Sequence, residues 1–290
     1  MRRRLRRSIR YALLRLPLPV RRRIEVRLLR AYEAYTSLRS PRSDEPREAN
    51  GYPVPPAKLR VLVSGTADPD FFLDTGRRQV ELFRELYEGH AGPIERASAI
   101  LDFGCGCGRL TRWWSDVVGP SIYGCDPSPA LIGWTRANLP FVRATLSGHE
   151  PPLPYADETF DFVYALSIFT HLPERQALPW ISELRRVTKP GGLVLFTTAG
   201  EAYSERLTAA DAVRYRRGEA VVQFDSASGT NLCIVYHPPA YVRERMLGGL
   251  ELVEELFAPE QPERAAESRL VQDCYLVRAP VEAPVGGAPA

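Results

Sequence analysis

Ile100-Leu101-Asp102-Phe103-Gly104-Cys105-Gly106-Cys107-Gly108-Arg109-Leu110 decides the fold class of this chain. A buried-strand pattern ends in Asp102, three alternate glycines follow, and helical spacing resumes after Gly108. A strand, a tight glycine turn and a helix in succession make a cofactor-binding crossing. The glycines fall as G-x-G-x-G. The dinucleotide fingerprint is G-x-G-x-x-G, in which a helix N-terminus faces a pyrophosphate. Here a carboxylate, Asp102, stands two residues before the first glycine. It would repel a pyrophosphate and attract a cationic ligand.

S-adenosylmethionine carries an ammonium and a sulfonium and no phosphate, which meets that requirement. Ile122-Tyr123-Gly124-Cys125-Asp126 reads as a second strand, and its terminal acid lies 24 residues beyond Asp102. That is the spacing at which Rossmann-type sheets place a ribose-binding carboxylate. The glycine run resembles the first motif of class I S-adenosylmethionine-dependent methyltransferases. The segment from Pro151-Pro152-Leu153-Pro154 to Phe160-Asp161-Phe162-Val163-Tyr164-Ala165 resembles the approach to that family's fourth strand, and Phe169-Thr170-His171-Leu172 follows it. Glu183-Leu184-Arg185-Arg186-Val187-Thr188-Lys189-Pro190-Gly191-Gly192 resembles its next helix and turn. Order and spacing agree from about residue 98 to 200, and a weaker similarity ending in Gln272-Asp273-Cys274-Tyr275 reaches about 278.

The resemblance implies an α/β fold: a doubly wound, mostly parallel seven-stranded Rossmann-like sheet ending in an antiparallel strand pair. It implies S-adenosyl-L-methionine as cofactor. Gly104, Cys105, Gly106 and Gly108 would pass the backbone along the methionine part, with Asp102 near the ammonium. Asp126 would accept from the two ribose hydroxyls, or else cap the helix after Pro127. The family often holds adenine through an Asp or Asn after the third strand. Here Ala144-Thr145-Leu146-Ser147-Gly148-His149 offers neither, so Ser147 or backbone takes that place, and Ser167 joins the site after the fourth strand.

The residues alone predict the same layout. Strands are expected over 98–103, 121–125, 141–144, 160–165 and 193–198, and helices over 108–118, 129–138 and 173–187. Strands spaced by helical patterns imply right-handed crossovers and a parallel sheet. A helix over 76–89 would cover the cofactor site, after a short mixed stretch over 59–74. Beyond residue 200 the pattern weakens: a charged helix over 203–217, a hairpin of 221–224 with 232–236, and a helix over 239–247. Two final strands, 250–257 and 270–277, have no expected helix between them and should pair antiparallel. The domain reading is therefore a basic extension and Pro-rich linker over 1–58 and a methyltransferase domain over 59–278, with a substrate cap over 200–240. A disordered tail covers 279–290.

The net charge of +3 conceals an asymmetry, because residues 1–30 carry +11 through twelve arginines and Glu25, leaving −8 for the remainder. Apolar spacing in 5–16 and 20–35, interrupted by Pro17 and Pro19, predicts two short basic helices. These suit an anionic membrane surface or an acidic partner, or form a solvated leader. No apolar run approaches the roughly 20 residues that span a bilayer. A cytoplasmic protein, peripheral to the inner membrane face if the basic leader binds lipid, is the expected location. The five cysteines are odd in number, and Cys105 and Cys107 lack the second ligand pair of a zinc set, so no metal is expected.

His171, just past the fourth strand, stands where open α/β sheets gather ligands, and its titration range suits a general base. Its other reading is a helix cap with Thr170. His237 is a second candidate to face the acceptor, His90 and His149 read as surface residues, and Trp113 and Trp114 read as core. The favoured function is methyl transfer from S-adenosylmethionine to a small-molecule or glycan acceptor on oxygen. A nucleic-acid methyltransferase using the basic leader is the alternative, although Leu166–His171 lacks the Asn/Asp-Pro-Pro-aromatic motif of base-amino methylation. A nicotinamide oxidoreductase is opposed by Asp102 and the glycine spacing. A binding protein without turnover stays open.

Overall fold

The computed structural model describes residues 47–281 together with Arg27. The expected basic helices, apart from Arg27, and the tail beyond residue 281 lie outside the described residues. Strands β1 (Glu48–Ala49) and β2 (Tyr52–Pro53) form a small hairpin, followed by helices α1 (Ala57–Ser64) and α2 (Pro69–Ala91). Then come β3 (Ala99–Phe103), β4 (Ser121–Asp126), α3 (Pro129–Asn138), β5 (Val142–Leu146), β6 (Phe160–Ala165), α4 (Glu174–Val187) and β7 (Thr188–Thr198). The last part holds α5 (Ala209–Arg216), β8 (Val221–Gln223), β9 (Ile234–Tyr236), α6 (Pro239–Tyr241), β10 (Glu251–Leu256), α7 (Pro262–Ser268) and β11 (Asp273–Arg278).

The main sheet has seven strands in the order β10-β11-β7-β6-β3-β4-β5. β7, β6, β3, β4 and β5 run parallel, and β11 is antiparallel to both β7 and β10. Alternation of side chains explains the layering. On one face Ile100, Phe162 and Leu195 pack with Val80, Phe83 and Leu86 of α2. On the other, Leu101, Val163 and Phe196 pack with Trp180, Ile181 and Leu184 of α4. All five residues of β3 are buried, as a strand covered on both faces must be. Each fully buried Leu or Phe contributes roughly 1.5–3 kcal/mol through burial.

Several expectations fail for identifiable reasons. The helix expected over 108–118 is only a 3-10 turn, Thr111–Trp114. Three of its residues make tertiary bonds that fix the chain. Thr111 Oγ1 donates to Asp102 (2.5 Å) and Trp114 Nε1 to the Tyr164 hydroxyl (2.9 Å). Buried Arg112 donates through Nη2 to the carbonyls of Ala49, Tyr52 and Pro53. That guanidinium also removes the linker reading from residues 48–58, which fold onto the body as the hairpin and the start of α1. The mixed stretch over 59–74 is α1 and the beginning of α2, capped by Asp68 at the Asp70 and Phe71 amides. The helix expected over 203–217 starts only at Ala209, where the Thr208 side chain caps it. A helix, α7, does stand between the last two strands, and the strands still pair antiparallel. Ala279, placed in the expected disordered tail, is buried and bonded through both backbone groups to Gly191 and Gly192. Among the described residues no helix is long and apolar enough to cross a membrane.

Candidate active site

A cavity of about 540 Å³ opens at the carboxyl ends of β3, β4, β5 and β6. Each of these strands ends where its chain must turn away from the sheet, so four turns converge there. The turn after β3 is the glycine run. Gly104 and Gly106 have φ of +82° and +55°, and a Cβ on either would collide with Ile168 or Val63. The loop is thus pressed between α1 and the turn after β6, with its backbone exposed to the cavity.

The cavity lining includes Asp102, Gly104, Cys105, Gly106, Asp126, Ser147, Ser167 and His171. Eight of the nine residues read from the sequence as site residues therefore come together. Gly108 does not join them. Its φ is +74° and a Cβ there would lie 2.3 Å from a Leu139 methyl, so it serves close packing of the loop on the end of α3. Cys107 is fully buried beside Leu59, Phe72 and Leu131, away from the cavity. Burial pushes its thiol up to about 12 and that of Cys105 well above the ordinary range, so both are neutral packing groups.

Asp126 accepts from the Gly106 amide (3.1 Å) and the Ser128 amide (2.8 Å). It therefore stiffens the turn after β4, while Ser128 caps α3. The alternative reading of Asp126 as the cap of the following helix is corrected, since Ser128 holds that place, and Asp126 lines the cavity. Asp102 is 4% exposed. Burial raises its carboxyl to about 7, opposed by hydrogen bonds from Thr111 and Tyr164 and by the more distant Arg109. Burial raises Asp126 as well. Arg109 does not pair with either acid, because its Nη1 is held by Thr75 Oγ1 (3.0 Å) and Gln79 Oε1 (2.7 Å) of α2. Among the described residues neither acid forms an ion pair. Two carboxylates facing one cavity, each disfavoured as an anion by burial, make a seat for a cation. An ammonium-bearing sulfonium such as S-adenosylmethionine fits that charge pattern, and a pyrophosphate does not.

His171 ends the 3-10 turn Phe169–His171. Its Nδ1 lies 2.6 Å from the Cys233 carbonyl oxygen. A carbonyl only accepts, so Nδ1 carries the hydrogen and Nε2 keeps the lone pair. Burial lowers the pKa of the ring, opposed by that hydrogen bond, which favours neutral imidazole. His237 is different: it belongs to the 200–240 segment, is 1% exposed and is not part of the cavity lining. Burial takes it down to about 4. His237 therefore does not face the cavity, contrary to its reading as a second acceptor-facing candidate. His149 sits exposed at the cavity rim near Asp126, and His90 pairs with Glu254 (2.7 Å) across α2 and β10. Trp114 is core, as read from the sequence.

Leu62 and Val63 of α1 and Gln176 and Trp180 of α4, which the sequence did not single out, also line the cavity, together with residues 228–231 from the expected 200–240 cap. Asn231 Nδ2 donates to the Leu62 carbonyl (2.8 Å), and the Gly229 amide to the His171 carbonyl (2.9 Å). Segments distant in sequence thereby meet over the cavity, and no local motif marks them. Among the described residues no group of His, Cys, Asp and Glu side chains is arranged to hold a metal ion.

Residues 101–196 match the family model described as "Methyltransferase domain". Among curated proteins, the chain is 30% identical over 114 residues to sterol 24-C-methyltransferase erg6 of Schizosaccharomyces pombe, covering 38% of this chain and 30% of that protein. It is 31% identical over 131 residues to a malonyl-[acyl-carrier protein] O-methyltransferase of Herminiimonas arsenicoxydans, covering 43% and 47%. It is 29% identical over 133 residues to methyltransferase GfsG of Streptomyces halstedii, covering 42% and 44%. The chain thus spans between 30% and 47% of the length of these three relatives.

Proposed function

We propose that this chain, whose residues 101–196 are a class I S-adenosylmethionine-dependent methyltransferase domain, moves a methyl group to a hydroxyl oxygen of a small-molecule or glycan acceptor. The observation that carries the reading is the 2.6 Å contact of His171 Nδ1 with the Cys233 carbonyl, which leaves the lone pair on Nε2 of a residue lining the same cavity as the glycine loop.

When bound, S-adenosylmethionine supplies a methyl on a sulfonium whose thioether leaving group is neutral and needs no acid. Asp102 would face the ammonium and Asp126 the ribose hydroxyls. Gly104, Cys105 and Gly106 would contact the methionine part through backbone, Ser147 would stand at the adenine, and Ser167 would close the donor side. His171 Nε2 would take the acceptor's proton as its oxygen attacks. Leu62, Trp180 and the 228–231 segment would exclude water and align the acceptor, a proximity effect.

One relative is a sterol 24-C-methyltransferase and another a malonyl-[acyl-carrier protein] O-methyltransferase, so they support small-molecule methylation without choosing the atom. The neutral imidazole favours oxygen, because a hydroxyl gains most from a base. Incubating the protein with cell extract and methyl-labelled S-adenosylmethionine, then searching for labelled products by mass spectrometry, tests the reading. A labelled ether is expected. Label found only on carbon, or only in RNA, would contradict it.

A further inference from the structure

Gln272 immediately precedes β11 and stands outside its ladder. Its side chain instead reaches past β7 to the turn after β6. Thr197 Oγ1 donates to Gln272 Oε1 (2.5 Å), and Gln272 Nε2 donates to Ser167 Oγ (2.8 Å). The Ser167 amide donates to Thr197 Oγ1 (2.8 Å). Thr170 Oγ1 donates to the Ser167 carbonyl (2.7 Å) and lies 3.1 Å from Ser167 Oγ. Each hydroxyl has one hydrogen. That of Thr170 is engaged on the carbonyl and that of Thr197 on Gln272, so the Ser167 hydroxyl must donate to Thr170. The ring closes with each hydroxyl hydrogen used once, and all polar groups of Ser167 are held.

Ser167 needs such holding. Its φ is +62°, a conformation that costs a non-glycine residue on the order of 1–3 kcal/mol unless its surroundings impose it. The reversed backbone is what sends Ile168 over Gly104, where a Cβ would lie 2.1 Å from the Ile168 methyl. It also starts the turn that carries His171, whose amide bonds the Ile168 carbonyl (3.0 Å). The hydroxyl of Tyr203, from the 200–240 segment, interacts with the same Gln272 side chain. One amide at the sheet edge therefore meets the donor loop's neighbour, the base's turn and the covering segment.

We propose that Gln272 is a positioning residue of the methyl-donor site, acting through Ser167. The proposal rests on the methyltransferase reading of the cavity. Only an amide completes the ring. Leucine removes both bonds. An ionised glutamate can still accept from Thr197 but has no hydrogen for Ser167, and it would draw the Ser167 hydroxyl away from Thr170.

Calorimetric titration with S-adenosylhomocysteine tests this in the full chain and in Gln272→Leu, Gln272→Glu, Ser167→Ala and the Gln272→Leu/Ser167→Ala double variant. Each single variant should weaken binding by about tenfold, the scale of one or two lost hydrogen bonds. The double variant should be within about twofold of the weaker single, because both break one ring. Gln272→Glu keeps the side-chain volume, so it should melt within a few degrees of the parent and still lose affinity. Parent-like affinity in both Gln272 variants, or losses that multiply in the double variant, would overturn the role of Gln272 alone. A parent chain that does not bind S-adenosylhomocysteine would overturn the reading of the cavity and this proposal with it.

Discussion

Asp126 and His171 do different work with similar means: each is oriented by backbone groups, one as an acceptor and one as a donor. The two amides on Asp126 leave its remaining lone pairs toward the cavity. Asp126→Ala should weaken S-adenosylmethionine binding by roughly 1–3 kcal/mol in calorimetry, the scale of hydrogen bonds lost from a charged group. His171→Ala should lower turnover by up to about 10²–10⁴-fold and leave donor affinity unchanged. Because burial lowers the His171 pKa, neutral imidazole dominates at and above pH 7. With the donor saturating, the pH–rate profile should therefore be flat there and fall on an acid limb lying below the ordinary histidine value. At this scale the sequence was informative. Asp102, Gly104, Gly106 and Asp126 are legible because local backbone geometry and charge restrict which residues can stand there. Gln272 as a partner of Ser167 is not, since 105 residues separate two side chains that only the folded sheet brings together.

Among the elements, α2, expected to cover the cofactor site, puts no residue on the cavity lining and reaches the site through Arg109. Its Gly76 lies against the Arg109 carbonyl, where a Cβ would be 2.3 Å from the oxygen. Thr75 and Gln79 on either side grip the Arg109 guanidinium. Gly76→Ala offers a better helix former yet must push α2 off the glycine loop. A net loss of roughly 1–3 kcal/mol in denaturant unfolding is expected, as for overpacked cores, together with weaker donor binding. Strands β3, β4 and β6 and helices α3 and α4 were read to within a residue, because strong apolar periodicity and proline boundaries set them, whereas β7 starts at Thr188, five residues before the expected 193, and β11 at Asp273, three after the expected 270. The helix expected after the glycine loop failed because Thr111, Arg112 and Trp114 have partners elsewhere that a helix would not let them reach. Tertiary hydrogen bonds of that kind carry no signal in the sequence window that predicts a helix.

Over the whole molecule, the segment after β7 is joined to the sheet at Ala199–Gly200, and buried Asp273 lies under that junction. Ala199 bridges Tyr236 and accepts from the His237 amide. Gly200 sits so close to Asp273 that a Cβ would overlap the carboxylate. Burial raises Asp273 to about 7. The native chain thus keeps a proton that the unfolded chain releases near pH 4, so stability falls as pH rises between about 4 and 7. Asp273→Asn should raise stability by roughly 1–3 kcal/mol at pH 8 and change it little at pH 4, measured by thermal unfolding. The basic residues 1–30 should add vesicle binding that depends on anionic lipid and weakens with salt. Deleting them should abolish co-sedimentation with such vesicles and leave donor binding intact.

Donor identity is the central claim, and calorimetry of the full chain tests it most directly. Asp102 is buried and Asp126 partly buried, and burial raises the Asp102 carboxyl to about 7. S-adenosylmethionine should bind at one site, more tightly at pH 8 than at pH 6, with release of protons as Asp102 ionises against the ligand's ammonium. NAD(H) should show no binding. Tight NAD(H) binding without S-adenosylmethionine binding would contradict the account.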